Sequence, residues 1–185
     1  MEEFLRAAIE EAELGFSEGG IPIGSVLVHE GRVLGRGHNR RVQKGSAILH
    51  GEMDALENAG RQPARVYREC TIYTTLSPCA MCSGTILLYG IPRVIVGENR
   101  TFLGEEDLLR GRGVTVEVLD DARCRELMAR FIQANLGPVG GGHRRAGLSA
   151  AGPPVSAARA AASSRSTRRA GSRTPRSGAA TRTRP

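Results

Sequence analysis

An abrupt change in composition at Gly137 divides the chain into two parts that cannot fold in the same way. Residues 137–185 consist mostly of Ala, Gly, Ser, Thr, Pro and Arg and contain no aromatic residue. Their only large apolar residues are Val139, Leu148 and Val155. So few apolar groups bury too little surface to offset the chain entropy lost on folding. We therefore expect a folded domain in residues 1–136 and a disordered tail in residues 137–185.

The net charge of +7 is distributed unevenly between these two parts. Residues 1–136 contain 16 Lys and Arg against 19 Asp and Glu, a net charge of −3, whereas the tail carries 10 Arg and no acidic residue. A mildly acidic body argues against a basic nucleic-acid-binding face. The chain has neither an apolar run long enough to span a bilayer nor the start of a signal peptide. We therefore expect a cytoplasmic protein without membrane contact or a specific nucleic-acid partner.

Hydrophobic periodicity predicts ten elements in the order α-β-β-α-β-α-β-α-β-α. The predicted helices cover residues 2–16, 50–59, 79–89, 108–111 and, capped by Asp120, a stretch that runs to about 135. The predicted strands cover residues 21–29, 32–37, 71–76, 93–97 and 114–119. A hairpin followed by alternating helices and strands implies a three-layer α/β/α fold with a five-stranded mixed sheet. Because helix 79–89 is almost wholly apolar, we expect it to be buried, within one subunit or between two.

Two short motifs contain the residue types that bind transition metals. The sequence His-Gly-Glu covers residues 50–52, and Pro-Cys-Ala-Met-Cys covers residues 78–82. The spacing of Cys79 and Cys82 places both sulfurs on one face of a first helical turn, where the helix N-terminus favours thiolates. With His50 as third ligand, one of the four tetrahedral positions of zinc stays open for water or hydroxide. An open position is typical of catalytic rather than structural zinc sites.

Glu52 is the candidate catalytic residue. It lies two residues after His50, so its carboxylate can reach the open metal position without being a ligand and can move protons there. The pattern H-x-E…P-C-x-x-C is the signature of zinc deaminases. A redox-active C-x-x-C pair is the competing interpretation of the second motif, but it would leave His50 and Glu52 without a role.

Residues 1 to about 136 resemble the fungal-type cytosine deaminases, within the cytidine deaminase-like superfamily. The first motif reads His-Gly-Glu, as in the cytosine enzymes, whereas the related tRNA adenosine deaminases usually have His-Ala-Glu. The matching stretches are GGIPIG at 19–24, GRGHN at 35–39, QKGS at 43–46, LHGE at 49–52, LEN at 56–58, YTTLSPC at 73–79, MC at 81–82, YGIPR at 89–93 and VGEN at 96–99.

This resemblance implies a five-stranded α/β/α fold, a homodimer and one zinc ion per subunit. His50, Cys79 and Cys82 would bind the zinc, with water or hydroxide in the fourth position. Glu52 would carry protons from that water to ring N3 and then to the departing amino group.

The resemblance also implies how the base is held. The side-chain amide of Asn39 would bind the pyrimidine edge, because an amide offers a donor and an acceptor that match a ring N–H and carbonyl. The backbone at Gly51 and Ser77 would contact the base, and Phe102 would cover it. From the residues alone, Asn39 would be a turn residue and Phe102 a core residue.

One departure from the family concerns the segment after Leu136. In the fungal-type enzymes a short closing segment with an aromatic and an acidic residue covers the bound base. Here the Arg-rich, acid-free tail follows instead, as expected from a frame change in the coding region or from a different natural ending. Without a lid that excludes water, we expect weaker turnover.

Several functions remain open from the sequence. The favoured one is hydrolytic deamination of the free base cytosine to uracil and ammonia. Another small base, such as guanine or isocytosine, or adenosine in tRNA, is an alternative substrate for the same chemistry. The non-enzyme alternative is a nucleic-acid-binding module with a structural zinc and a phosphate-binding tail, although the tail lacks the aromatic residues that stack on bases.

Overall fold

The computed structural model describes residues 2–136, which form six helices and five strands. The helices are α1 (Glu2–Ser17), α2 (Gly51–Ala59), α3 (Ala64–Tyr67), α4 (Ala80–Tyr89), α5 (Glu106–Gly111) and α6 (Ala122–Leu136). The strands are β1 (Gly24–His29), β2 (Arg32–His38), β3 (Cys70–Leu76), β4 (Arg93–Glu98) and β5 (Thr115–Val118). None of these helices is long and apolar enough to cross a bilayer. The predicted tail, and the prediction of a missing lid, lie outside the described residues.

The five strands form one mixed sheet in the order β2-β1-β3-β4-β5. β1 is antiparallel to both β2 and β3, whereas β3, β4 and β5 are parallel. The β1–β2 hairpin turns at Glu30 and Gly31, whose φ angles of 48° and 74° are of the kind that two-residue hairpin loops require. The predicted five-stranded mixed sheet is therefore confirmed.

Helices cover both faces of the sheet. Along β3 and β4 the side chains alternate between two apolar clusters, as the period of a strand requires. Ile72 belongs to the cluster formed with α2, α3, α4 and α5, and its neighbour Tyr73 belongs to the cluster formed with α1 and α6. Complete burial of a side chain such as Ile72 or Ile95 stabilises the fold by roughly 2 kcal/mol. The predicted three-layer α/β/α architecture is confirmed.

The prediction that helix 79–89 is buried is wrong for the single chain. In α4 the residues Cys82, Ser83 and Ile86 are buried, but Leu88 is 79% exposed and Tyr89 is 40% exposed. A helix at the surface of a sheet buries only the stripe that faces the sheet, whatever the composition of its other side. The outer side of α4 is therefore an exposed apolar surface.

Two further details differ from the prediction. The N-cap of α6 is Asp121 rather than Asp120: its Oδ1 accepts hydrogen bonds from the backbone N–H groups of Arg123 at 2.8 Å and Cys124 at 3.3 Å. Asp120 instead adopts a φ of 51° just before the helix. The short helix α3 was not predicted, because four residues are too few to show a hydrophobic period.

The strand register places several strand ends at one edge of the sheet. Gly24 pairs with His38, Ser25 with Thr74, and Leu76 with Glu98. The start of β1 and the ends of β2, β3 and β4 therefore lie together. In open α/β sheets, ligands bind beyond the carboxyl ends of the parallel strands, and the segments that follow β2, β3 and β4 carry the candidate site residues.

Candidate metal centre

Both metal-binding motifs lie at helix N-termini. His50 is the N-cap of α2 and Cys79 is the N-cap of α4, so each helix begins one residue later than predicted. An N-cap side chain usually accepts a hydrogen bond from its own helix, but neither of these side chains makes such a bond. The imidazole and the thiol are therefore available for another partner.

The donor atoms of His50, Cys79 and Cys82 form a triangle of the size that tetrahedral zinc requires. Nδ1 of His50 lies 3.4 Å from Sγ of Cys79 and 3.6 Å from Sγ of Cys82, and the two sulfurs are 3.7 Å apart. Ordinary Zn–S and Zn–N bond lengths give N–S edges of about 3.6 Å and S–S edges of about 3.8 Å. Within residues 2–136 this group holds these three residues alone, so it offers three donor atoms to a metal ion.

Charges within the cluster also favour a cation. Hydrogen bonds with Cys82 and with His50 lower the pKa of Cys79 to about 3 despite its partial burial. The hydrogen bond with Cys79, together with burial, raises the pKa of Cys82 above its ordinary value. Two sulfurs at this distance repel each other as thiolates unless a positive charge lies between them. A divalent cation removes this conflict by binding both sulfurs in their thiolate form.

Glu52 lies against the metal donors without joining them. The Cys82 thiol donates to its Oε2 at 3.3 Å, and the Thr74 hydroxyl donates to its Oε1 at 3.4 Å. The residue is 4% exposed, and burial is the main cause that raises the pKa of its carboxyl group. A raised pKa brings a carboxyl group closer to the pH at which it both accepts and releases a proton. Its position and chemistry are those of a proton carrier.

Asn39 and Gly51 both lie close to the carbonyl oxygen of Ile23. The backbone N–H of Asn39 donates to that oxygen at 2.8 Å, and a Cβ on Gly51 would lie 3.0 Å from it and 3.2 Å from Oγ of Ser25. This Ser25 hydroxyl is buried and has no hydrogen-bond partner in the described part of the chain. Oδ1 of Asn39 accepts the backbone N–H of Arg41 at 3.1 Å. A side chain at position 51 would therefore require these two oxygens to move by a few tenths of an ångström.

Ser77 and Phe102 are linked through the loop between β4 and α5, residues 99–105. The hydroxyl of Ser77 accepts the backbone N–H of Gly104 at 3.0 Å. The packing there is close, since a Cβ on Gly104 would lie 2.0 Å from the carbonyl oxygen of Pro78. Phe102 is half-buried in this loop. The loop is therefore attached to the turn that leads into the first thiol ligand.

Two polar residues that support the site, Thr74 and Asp54, are not identified from the sequence. Thr74 is fully buried beneath the candidate catalytic carboxylate. Asp54 accepts the backbone N–H of His38 at 3.2 Å and forms an ion pair with Arg40 at 3.0 Å. It thus holds the residues on either side of Asn39. A Thr in a strand and an Asp in a helix are too common to signal such roles.

Sequence comparisons agree with this geometry. Residues 1–98 match a family model described as the cytidine and deoxycytidylate deaminase zinc-binding region. A cytosine deaminase of Candida albicans is 60% identical over 130 residues, which cover 70% of this chain and 87% of that protein. A tRNA-specific adenosine deaminase of Streptococcus pyogenes is 41% identical over 108 residues, which cover 57% of this chain and 67% of that protein.

Solved structures show the same architecture. The guanine deaminase from Nitrosomonas europaea matches with a TM-score of 0.54 and 22% identity, over 69% of this chain and 82% of that one. At this identity the similarity concerns the fold alone. The family model, which covers more than half of the chain, and the Candida albicans relative confirm the resemblance found in the sequence. The chain belongs to the family of the cytidine and deoxycytidylate deaminase zinc-binding region.

Proposed function

We propose that the protein catalyses the hydrolytic deamination of cytosine to uracil and ammonia, a step of pyrimidine salvage. The observation that carries this proposal is a buried proton carrier, Glu52, beside three zinc donors that leave the fourth position open. The 60% identity to the Candida albicans cytosine deaminase supports cytosine as the base. The test is release of ammonia from cytosine by the zinc-loaded full-length protein.

His50, Cys79 and Cys82 are the proposed zinc ligands. When bound there, one zinc ion per chain with water in its fourth position supplies hydroxide at neutral pH, since zinc lowers the pKa of bound water to about 7. The residues hold the ion through two thiolates and one neutral imidazole. Because thiolate ligands must stay reduced, we place the protein in the cytoplasm.

Glu52 is the proposed catalytic residue, and it acts in two proton transfers. Its carboxylate takes a proton from the attacking water and delivers it to ring N3, which allows C4 to accept the oxygen. It then passes the second proton of the water to the amino group on C4, which leaves as ammonia. The C4 carbonyl of uracil forms as the C–N bond breaks. Burial, which raises the pKa of Glu52, suits a group that must carry a proton between these atoms.

Four residues are proposed to hold the base. Asn39 would donate from its amide nitrogen to the ring carbonyl, and the backbone of Gly51 would contact the ring. The N–H of Ser77 already donates to the carbonyl of Glu98 at 3.0 Å, so the carbonyl oxygen of Ser77 is the group left for the base. Phe102 would cover the ring from the loop after β4.

Replacing Asn39 by Asp separates its contact with the base from its role in the turn. Asp keeps an oxygen for the N–H of Arg41 but replaces the amide donor by an oxygen that repels the carbonyl of cytosine. We expect unchanged zinc content and a kcat/KM for cytosine that falls about 100-fold or more, because a hydrogen-bonding site strongly rejects a mismatched partner. Asn58→Asp, on the exposed side of α2, likewise loses an amide donor, here to the carbonyl of Arg36 at 2.8 Å, but outside the proposed base contacts, so its kcat/KM should stay within about threefold of the wild type. Unchanged kcat/KM in Asn39→Asp would make Asn39 a turn residue only.

The exposed apolar side of α4 is the proposed contact with a second copy of the chain. Leu88 and Tyr89 line a groove of about 800 Å³ between α2 and α4, together with Met53 of α2. Polar residues, among them Arg61 and Arg68, line the rest of this groove, and exposed apolar side chains surrounded by polar residues are typical of interaction sites. A homodimer is also what the resemblance to the fungal-type enzymes implies.

Replacing Leu88 by Glu should dissociate this dimer. A carboxylate in place of Leu88 removes the apolar contact and loses hydration when the contact forms, so we expect the dimer dissociation constant to rise at least about 100-fold. Sedimentation equilibrium measures this constant. Val33→Glu is the matched control, since Val33 is a 42%-exposed apolar residue on β2. A wild-type monomer, or a Leu88→Glu dimer of full strength, would contradict the proposed interface.

Guanine, isocytosine and adenosine in tRNA are the alternative substrates. Ammonia release from each, measured with the same zinc-loaded protein, ranks them by kcat/KM, and a better substrate than cytosine would replace it in the proposal. The 41% identity to a tRNA-specific enzyme favours tRNA as the second candidate, but the net charge of −3 in residues 1–136 opposes binding of a polyanion. Deletion of residues 137–185 tests the non-enzyme alternative. If the deletion abolishes nucleic-acid binding and leaves deamination intact, the binding is a property of the tail and not the main function.

A further inference from the structure

Glu106 is a buried carboxylate outside the proposed catalytic and binding residues. It is 3% exposed and is the first residue of α5. Its Oε1 accepts a hydrogen bond from the hydroxyl of Ser77 at 2.8 Å and another from the amide nitrogen of Asn99 at 3.1 Å. Its Oε2 accepts a hydrogen bond from Arg110 at 3.1 Å. Both oxygens are thus engaged, and the bond to Ser77 joins α5 to a turn 29 residues away in the sequence.

The hydroxyl of Ser77 extends this network into the loop of residues 99–105. It donates to Glu106 and accepts the backbone N–H of Gly104 at 3.0 Å. The next N–H, that of Glu105, donates to the carbonyl of Pro78 at 2.9 Å. The C-terminal end of the loop is therefore fixed to the turn that precedes the thiol ligands.

The N-terminal end of the same loop is fixed by another buried carboxylate. Glu98 is completely buried at the end of β4, and its Oε2 accepts the backbone N–H groups of Arg100 at 2.6 Å and Thr101 at 2.9 Å. Phe102 lies between the two anchored ends. The position of Phe102 therefore depends on the two carboxylates that hold the loop, Glu98 and Glu106. Only Glu106 also accepts a hydrogen bond from the side chain of Ser77.

We propose that Glu106 is a positioning residue, which holds Phe102 over the bound base by joining the loop to the 77–78 turn. This inference rests on the proposed function, since Phe102 covers a base only if one binds there. Loss of Glu106 removes the shared acceptor of Ser77 and Asn99 and loosens the loop. None of the hydrogen bonds of Glu106 goes to a proposed zinc donor or to Glu52, so the chemical step remains intact. Binding of the base therefore weakens more than its turnover.

Three variants test this proposal by steady-state kinetics with cytosine. Glu106→Ala should raise KM about tenfold or more and change kcat less than about threefold, with one zinc per chain retained. Glu106→Gln keeps an oxygen for Ser77 and Asn99, so its KM should stay within about threefold of the wild type. Asp107→Ala, which removes a fully exposed carboxylate next to Glu106 on α5, should leave KM unchanged. A zinc-loaded Glu106→Ala protein with a wild-type KM would overturn the proposal.

A fluorescence measurement tests the same proposal without any turnover. The chain contains no Trp, so Phe102→Trp introduces a single tryptophan into the loop, whose fluorescence can be excited apart from that of tyrosine. In this background, Glu106→Ala should shift the emission to the red and increase quenching by acrylamide, whereas Glu106→Gln should do neither. If Glu106→Ala does not fold, Asn99→Ala is the substitute, because it removes the bond between the loop and Glu106. It should increase acrylamide quenching relative to the wild-type background. Unchanged quenching in the folded variants overturns the positioning role, whereas a wild type inactive on cytosine overturns only the proposed function.

Discussion

Replacing Glu52 by Ala should abolish cytosine deamination and leave the zinc content unchanged. Both proton transfers of the proposed reaction pass through this carboxylate, and general acid–base catalysis by one group typically contributes up to about 10⁴ in rate. We expect kcat to fall by at least about 1,000-fold. Zinc should remain, because the three donors contact each other without help from Glu52. Ammonia release and metal analysis on the same sample measure the two quantities.

Two further variants sharpen this test. Glu52→Gln keeps the volume of the side chain and an acceptor for Thr74, but it cannot carry a proton, so its activity should be as low as that of the Ala variant. Glu57→Ala removes an exposed carboxylate from the same helix, α2, and should retain full activity. A Glu52→Gln protein with a tenth or more of the wild-type rate would mean that the carboxylate acts through packing rather than proton transfer.

Replacing Cys82 by Ser should release the zinc. Cys82 is completely buried, and its sulfur lies 3.7 Å from the sulfur of Cys79 and 3.6 Å from Nδ1 of His50. A neutral hydroxyl is a far poorer zinc ligand than a thiolate, so we expect zinc affinity to fall at least about 100-fold and deamination to fall to background. Competition with a chelator of known affinity measures the loss. A variant that retains wild-type affinity would remove Cys82 from the ligand set.

The matched control for this variant is Cys70→Ser. Cys70 is nearly as buried as Cys82, but its thiol donates to the carbonyl of Val66 at 3.1 Å, and in residues 2–136 it belongs to no group of possible metal donors. A serine hydroxyl can keep that hydrogen bond, so zinc content and activity should be preserved. Removing zinc from the wild type with a chelator should abolish activity, and adding Zn²⁺ should restore it. The Cys82→Ser protein should not recover under the same treatment.

The fold was largely predictable because its signals are local. Strands and helices alternate with clear periods, and the glycine after each of α2 and α4 marks where the helix ends. The exposure of α4 was not predictable, because an apolar helix has the same composition whether a sheet or a partner covers its outer side. The exposed side chains of Leu88 and Tyr89 show this difference.

Part of the candidate site was likewise predictable from the sequence, and part was not. His50, Cys79 and Cys82 were predicted together because metal ligands have characteristic spacings within helical turns, and their donors lie within 3.7 Å of each other. Asn39 and Phe102 were proposed from the family resemblance and not from any pattern in the residues. The contact between Ser77 and Glu106 joins positions 29 residues apart, and no periodicity signals it. Such contacts depend on the packing of loops, which only the structure describes.

The strand register also separates two edges of the sheet that should differ in how well they tolerate changes in the sequence. The candidate catalytic groups lie where β2, β3 and β4 end, whereas the opposite edge holds the hairpin turn at Glu30 and Gly31 and the connections that lead into β3, β4 and β5. A strand of seven residues, such as β3, separates these edges by roughly 20 Å. We therefore expect insertions, tags or fused domains at the edge with these connections to disturb the chemistry less than changes at the edge that carries the candidate site.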